Sequence, residues 1–439
     1  MEKNGCGAMN KTLFTRLLLT ILGFLFSLKL ALLLYLSLDE FTYTHAAWLV
    51  SQGKIPYRDF PLFHPPLLEI ALSSVFFLTQ SALKGVLFSR SIFAILLFAT
   101  ALLVKRESKS SIGFVLTLCL GVFSSWMTEI RPDSLALFLF LSANLSLSKK
   151  NYLFSGLLIS LSLFSSEKAL VYAPALIIPI IFERDLQALI RVIIPALLFS
   201  SIFYGGLVYI AGPNWVTEFL VTWAFQHETL YPKRSPWISL NQYLPQLILL
   251  IGLSLIRLKR ELRLNLQWLV LFCLGGITYF LQRGPFSYSL LPVFLPLIIL
   301  ASKELAYIVE KLGSLERIDV VLTSILLSFL FFAPVYDQSN KNQLAALALI
   351  DLKVPQNACV YDNSGFAVTR EHAGYWYFTD QLVRNKFMNQ FENELPGLIQ
   401  KKQCAAMILD ERFSKLSMPL QTDLKTLFPK CQGLVCFRE

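Results

Sequence analysis

The chain is poor in charge. Only 15% of its 439 residues are Asp, Glu, Lys or Arg, where a soluble domain carries about 25%. That shortfall excludes an ordinary soluble enzyme. Histidine is scarce, with four in all, and no spacing of them suits a metal. The seven cysteines include no Cys-x-x-Cys pair, so no zinc or redox motif is present. No internal repeat is visible, and the matched broken helices of repeat-built transporters are missing with it. The net charge of +10 comes without a basic, aromatic-interleaved soluble segment, which argues against nucleic acid as a partner.

Apolar residues fill the space that charge leaves. They make up 55% of the chain, and its mean hydropathy is +0.57. Their runs predict a polytopic, α-helical membrane protein with about eleven spans. The spans fall near 17–38, 85–104, 111–128, 134–148, 152–166, 169–182, 192–211, 241–256, 266–282, 287–302 and 319–335. The first run, Leu17–Leu36, lacks a small-residue cleavage site and outruns a signal-peptide core, so it reads as an uncleaved span. The stretch 66–83 reads as a helix lying on the outer surface rather than a twelfth span. With that choice the Lys/Arg clusters at 105–109, 149–150, 184–191, 257–263 and 303–317 all fall inside. The N-terminus is then cytoplasmic, and the loop 39–84 and the C-terminal tail lie outside an inner (plasma) membrane.

The chain divides into a spanning domain, 1–335, and a small extracytoplasmic α/β domain, 336–439. Within the tail Cys359–Tyr361, Ala405–Leu409 and Leu434–Phe437 read as strands. Asn340–Leu352, Met388–Lys401 and Leu420–Phe428 read as helices. Cys359, Cys404, Cys431 and Cys436 lie there, open to a disulfide in an oxidising compartment or to a life as buried thiols.

Polar residues concentrate at span ends. The segment Ser37–Leu67 packs Asp39, Glu40, His45, Lys54, Arg58, Asp59 and His64 between two apolar segments. A charge at membrane depth costs about 2.5–3.5 kcal/mol on insertion scales, so this density suggests a site. Ser37-Leu-Asp-Glu40 is also a capping-box pattern, in which Glu40 is structural and Asp39 a favourable first-turn charge. Tyr57-Arg58-Asp59 follows Gly53 and Pro56 as a turn, either with a solvated Arg–Asp pair or with a ligand-binding one. Glu129-Ile-Arg131-Pro-Asp133 places three charges among apolar helices. It reads as a local Arg131–Asp133 salt bridge opening a helix at Pro132, or as a phosphate-binding arginine. Lys168 either snorkels to the interface or contacts a lipid phosphate. Arg283 and Tyr288 precede the proline-rich helix LLPVFLPLIILAS.

Acidic residues after the first span, a Gly-x-x-Pro-Tyr-x-Asp turn and a Pro-Pro pair come in an order that resembles the first external loop of C-type glycosyltransferases. That superfamily includes protein O-mannosyltransferases, lipid A aminoarabinose transferases and lipopolysaccharide-core transferases. The Arg131-Pro-Asp133 element, the outer-end Lys168 and the Tyr288 helix resemble later parts of the same families. His64 departs from them, since some relatives have Lys or Glu-Lys before the proline pair. The resemblance implies transfer of a sugar from a polyprenyl-phosphate donor to a hydroxyl of a glycolipid, glycan or protein, with inversion. It implies Asp39 as general base, with Glu40 beside it. Arg58, Arg131, Lys168 and Arg283 would hold the donor phosphate, and Tyr57, Asp59, His64, Glu129, Asp133 and Tyr288 would stand around them. Some relatives use a divalent metal and others do not. The alternative is a lipid-linked sugar flippase or transporter, for which mid-helix charges are few. A polysaccharide polymerase or ligase would use the same substrates.

Overall fold

The computed structural model describes residues 5–62, 64–217, 235–282, 285–313, 315–332, 340–374 and 392–438. Each of the eleven apolar runs corresponds to a helix or, for 111–128, a helix pair. Helix α1 covers Gly5–Leu33, α2 Leu38–Ser51, α3 Leu67–Leu78 and α4 Ala82–Ser108. Then come α5, Ser111–Cys119, and α6, Gly121–Thr128, bent by 71° where Leu120 leaves helical backbone. Helix α7 (Pro132–Ser148) starts with proline at its first turn, where no hydrogen bond is lost. Helices α8 (Tyr152–Ser165), α9 (Tyr172–Phe182) and α10 (Leu186–Ala211) follow. Further helices cover Leu244–Glu261, Leu266–Leu281, Leu291–Lys311 and Leu315–Phe332.

Among the described residues five helices are long and apolar enough to cross a membrane, or six with the bent pair. Helix α3 has 12 residues, so it rises about 18 Å and cannot cross a 30 Å hydrocarbon core alone. It packs on α2, and Gly85 of α4 lets Phe76 of α3 lie against its backbone, where a Cβ would meet the ring at 2.2 Å.

The C-terminal region holds a five-stranded sheet in the order β2-β1-β3-β5-β4. Strand β1 (Cys359–Tyr361) pairs in parallel with β2 (Glu371–His372) and with β3 (Ala406–Ile408). Strand β5 (Val435–Phe437) runs antiparallel to β3 and to β4 (Lys430–Gln432). Helices cover Lys341–Lys353, 392–401 and Met418–Leu427. The three expected strands are present. The short edge strands β2 and β4 carry too few apolar residues to announce themselves in sequence. All four tail cysteines are paired, Cys359 with Cys404 and Cys431 with Cys436.

One face of this sheet packs a core of its own, with Tyr361, Met407, Leu395, Ile399 and Leu424. The other face does not. Val360, Ala406 and Ile408 join Leu347 and Ile350 of the tail helix, then Phe41 and Trp48 of α2 and Leu68, Leu72 and Phe76 of α3 in one continuous core. The tail is therefore built onto the α2–α3 segment.

Alkylation of the denatured, unreduced protein is expected to leave Cys359, Cys404, Cys431 and Cys436 unmodified until reductant is added. Peptide mass spectrometry checks this, and free thiols at all four positions would place the tail in a reducing compartment.

Candidate functional site

The site begins where α1 ends. The last carbonyls of a helix have no partner inside it. Here Arg90 of α4 donates to Ala31 O at 2.9 Å, Leu34 O at 3.4 Å and Tyr35 O at 2.9 Å. The same guanidinium meets Glu40, with Nε donating to Oε1 at 2.6 Å and Nη2 to Oε2. Arg90 and Glu40 are both fully buried. Glu40 Oε1 also accepts from Ile130 N at 3.0 Å, and Oε2 from Ser37 N at 2.9 Å, the return half of the capping box. Every acceptor position of this carboxylate is engaged. These contacts fit the structural reading of Glu40, as the inward half of the capping box.

Asp39, next to it in sequence, faces outward with its side chain 45% exposed. It accepts from Arg131 Nη1 at 2.9 Å. Arg131 is buried and also donates to Glu129 Oε2 at 3.3 Å, an oxygen that accepts from Ser37 Oγ at 3.2 Å. The guanidinium lies 3.9 Å from the centre of the Tyr288 ring and 5.6 Å from that of Trp126. Lys168 Nζ lies 4.3 Å from the same Tyr288 ring and donates to Asp133 Oδ2 at 3.3 Å. Ser166 Oγ donates to Asp133 Oδ1 at 2.9 Å. The local Arg131–Asp133 pair suggested by sequence adjacency is not formed. Each partner reaches across helices instead, Arg131 to α2 and Asp133 to the 3-10 turn after α8.

The cluster thus holds two cations on one aromatic ring, each countered by a carboxylate. Cation–π contacts of this kind are worth about 0.5–2 kcal/mol. A small cleft opens beside it, lined by Asp133, Lys168, Tyr172, Gly275, Gln282 and Tyr288 among others. At Gly275 a Cβ would stand 3.0–3.1 Å from Pro292, so glycine lets the two helices close the cleft floor. Burial pushes the Glu129 carboxyl up to about 7, with Arg131 opposing and Glu40 adding to the rise.

Other expected residues lie elsewhere. Arg58 is exposed and holds its own neighbour, Asp59, at 3.0 Å; Asp59 in turn accepts from Ile55 N at 2.8 Å. Tyr57 is fully buried with φ of +67°, and its hydroxyl donates to His64 O. These three build the turn, and Arg58 is turned to solvent with Asp59 as its ion-pair partner. His64 lies between: its ring stands 5.1 Å from that of Tyr43, and Nε2 is 3.4 Å from Glu69 Oε1. Arg283 lies outside the described residues.

Sequence reading missed Arg90, Glu69, Trp126 and Tyr43. Arg90 had a signal, a lone arginine two turns into an apolar helix, which is costly unless paired. Glu69 is fully buried, neither oxygen has a hydrogen-bond partner among the described residues, and burial pushes its carboxyl up. Among the described residues no three His, Cys, Asp or Glu side chains gather as a metal site.

No protein-family model matches the chain, and no curated protein matches it in sequence. Solved structures do match in shape. The crystal structure of ArnT from Cupriavidus metallidurans bound to undecaprenyl phosphate aligns with a TM-score of 0.65 at 12% identity, over 97% of this chain and 97% of that one. The chain has the ArnT fold. The apo form of ArnT aligns with a TM-score of 0.54 at 13% identity, over 90% of this chain and 81% of that one. The resemblance carried by the first external loop thus extends to the ArnT-like architecture as a whole.

Two outcomes follow from this geometry. Arg90→Met strands a buried carboxylate and is expected to cost about 3–5 kcal/mol, read as lowered thermal stability in detergent; unchanged stability would remove the pair from the scaffold. Glu129 has a folded-state pKa above its unfolded one. Its proton therefore favours the folded state below the ordinary carboxylate range, and that contribution is lost as pH rises to about 7. Glu129→Gln is expected to flatten the fall in melting temperature over this window, and an unaltered slope would contradict the assignment.

Proposed function

We propose that this protein is a membrane glycosyltransferase. It moves a sugar from a polyprenyl-phosphate donor to a hydroxyl acceptor at the membrane surface. The observation that carries this reading is the Asp39–Arg131–Tyr288–Lys168 cluster, whose Tyr288 and Lys168 also line a partly apolar cleft. A half-exposed carboxylate stands there beside two cations, and ArnT, which shares the fold, is seen bound to undecaprenyl phosphate.

In the proposed reaction, Asp39 accepts the proton of the acceptor hydroxyl. The hydroxyl oxygen attacks the anomeric carbon from the side opposite the phosphate. A new glycosidic C–O bond forms and the C–O bond to phosphate breaks, inverting the centre. The electron pair leaves on the lipid phosphate, whose growing charge Arg131 and Lys168 stabilise. The geometry suits a preorganised site, because both cations are held before substrate arrives. Arg131 also holds the Asp39 carboxylate in place. When a phosphate presents itself, the guanidinium gains a further anionic partner beside Asp39 and Glu129.

The membrane side is part of the proposal. The Lys/Arg bias puts the cluster and the tail outside the cytoplasm, and two disulfides in the tail suit an oxidising compartment. The acceptor class, whether glycolipid, glycan or protein, belongs to the cleft's outer rim.

Sugar transfer in purified membranes with a polyprenyl-phosphate-sugar pool tests the reading. Asp39→Asn is expected to lower the rate by roughly 10²–10⁴-fold while lipid-phosphate binding is retained. Lys168→Ala is expected to weaken that binding. Transfer at the normal rate by Asp39→Asn would remove the base. Lipid movement across vesicles without any sugar transfer would replace the enzyme by a flippase.

A further inference from the structure

The linker between α1 and α2 is where the position of Asp39 is decided. It runs from residue 34 to 37, and Asp39 follows in the first turn of α2. Its backbone groups are buried or partly buried, and side chains of the protein partner several of them. Arg90 serves the carbonyls of Ala31, Leu34 and Tyr35. Asn340, at the start of the tail helix, serves Leu32 O through Nδ2 at 2.9 Å and Leu33 O through its backbone N at 3.3 Å. That leaves Leu36, which is fully buried and lies one residue before the helix cap Ser37.

Leu36 is held from both sides by one side chain. Gln343 Oε1 accepts from Leu36 N at 2.8 Å, and Gln343 Nε2 donates to Leu36 O at 2.8 Å. The primary amide thus pairs with the backbone as a neighbouring strand would. Gln343 is itself buried, so water cannot replace it on either group. Among side chains that do not titrate, only Asn and Gln offer a donor and an acceptor in one planar group, and the residue is 307 positions away in sequence.

Further contacts hold the same parts. Thr42 Oγ1, one turn after Asp39, donates to Ser364 O at 2.9 Å, and His45 Nδ1 bonds Val368 O at 2.8 Å. Asp351 of the tail helix caps α4, accepting from Ser81 Oγ at 2.6 Å, Ala82 N at 2.8 Å and Leu83 N at 3.0 Å. Helix α4 carries Arg90. The tail therefore grips both the helix that presents Asp39 and the helix that locks its neighbour.

We propose that Gln343 is a positioning residue for the transfer reaction: its amide fixes the backbone of Leu36 and thereby the place at which Asp39 meets the acceptor hydroxyl. The inference rests on the proposed glycosyltransferase reading. It gives the C-terminal domain a task in that reaction without contact with substrate.

The test joins kinetics to amide hydrogen exchange on the full chain. Gln343→Ala is expected to lower kcat by about 10–100-fold, the scale of a misplacement near 1 Å. KM for the polyprenyl-phosphate sugar and affinity for undecaprenyl phosphate stay unchanged, because Arg131 and Lys168 are untouched. Peptides covering 34–41 exchange faster, while those of β1 and β3 do not. Gln343→Glu keeps the acceptor for Leu36 N–H but loses the donor to Leu36 O, so its kcat falls between the two. A normal kcat in Gln343→Ala would overturn the proposal. So would equal losses in kcat and donor affinity with faster exchange throughout the tail. If the unmodified chain transfers no sugar, the functional reading fails, and exchange at 34–41 alone decides whether Gln343 holds the linker.

Discussion

The arrangement depends on one buried ion pair. Arg90 and Glu40 are enclosed completely, and a buried pair is a poor source of stability for its own sake, because desolvation offsets most of the attraction. What the pair supplies is connection. Arg90 closes the carbonyl end of α1, and Glu40 closes the amide start of α2 and holds Ile130 N. Three chain segments far apart in sequence meet at two side chains. Ile130 is flanked by Glu129 and Arg131, so the pair also sets the position of the arginine that holds Asp39. The adjacent acids divide the work by direction. Glu40 turns inward and builds, while Asp39 turns outward and remains available.

The outward cluster follows a second rule. Arg131 and Lys168 are kept beside one tyrosine ring, each with a carboxylate partner. Two unpaired cations this close would repel, and burial would raise the cost. The ring's negative face and the two carboxylates offset that repulsion. The counter-ions are not equivalent, however. Asp133 is buried and braced by Ser166, whereas Asp39 is half-exposed. The arrangement can release one acid without dissolving the cluster, a property the proposed proton acceptor would use.

Much of this was legible in the sequence. Apolar runs placed the helices because a membrane core leaves no other regular option for them. Pro132 marked the start of α7, and Ser37-x-x-Glu40 marked the cap of α2. The first-loop acids, Arg131 and Lys168 stood out because charge in apolar surroundings needs a reason. The pairings were not legible. Arg131 and Asp133 lie two residues apart, yet Arg131 is still extended while Asp133 is already in the first turn of α7, so their side chains go to different neighbours. Arg58-Asp59 looks like a site motif and is a surface turn, because Tyr57 takes a left-handed conformation and buries itself beneath it. Gln343 carries no signal at all, since a single glutamine in a polar tail is ordinary until the backbone it faces is known.

The tail's construction shows why such a residue can matter. Its strands are two or three residues long, and sheets this small rarely bury enough apolar surface to stand alone. Two disulfides constrain it, and its second sheet face is completed by α2 and α3. The dependence runs both ways. Helix α2 has 14 residues and α3 has 12, lengths that are marginal without packing. Neither half of the interface has a complete core without the other. A domain coupled this tightly to the first-turn acid of α2 shares in setting its geometry, and the amide of Gln343 is where that coupling comes closest to Asp39 along the chain.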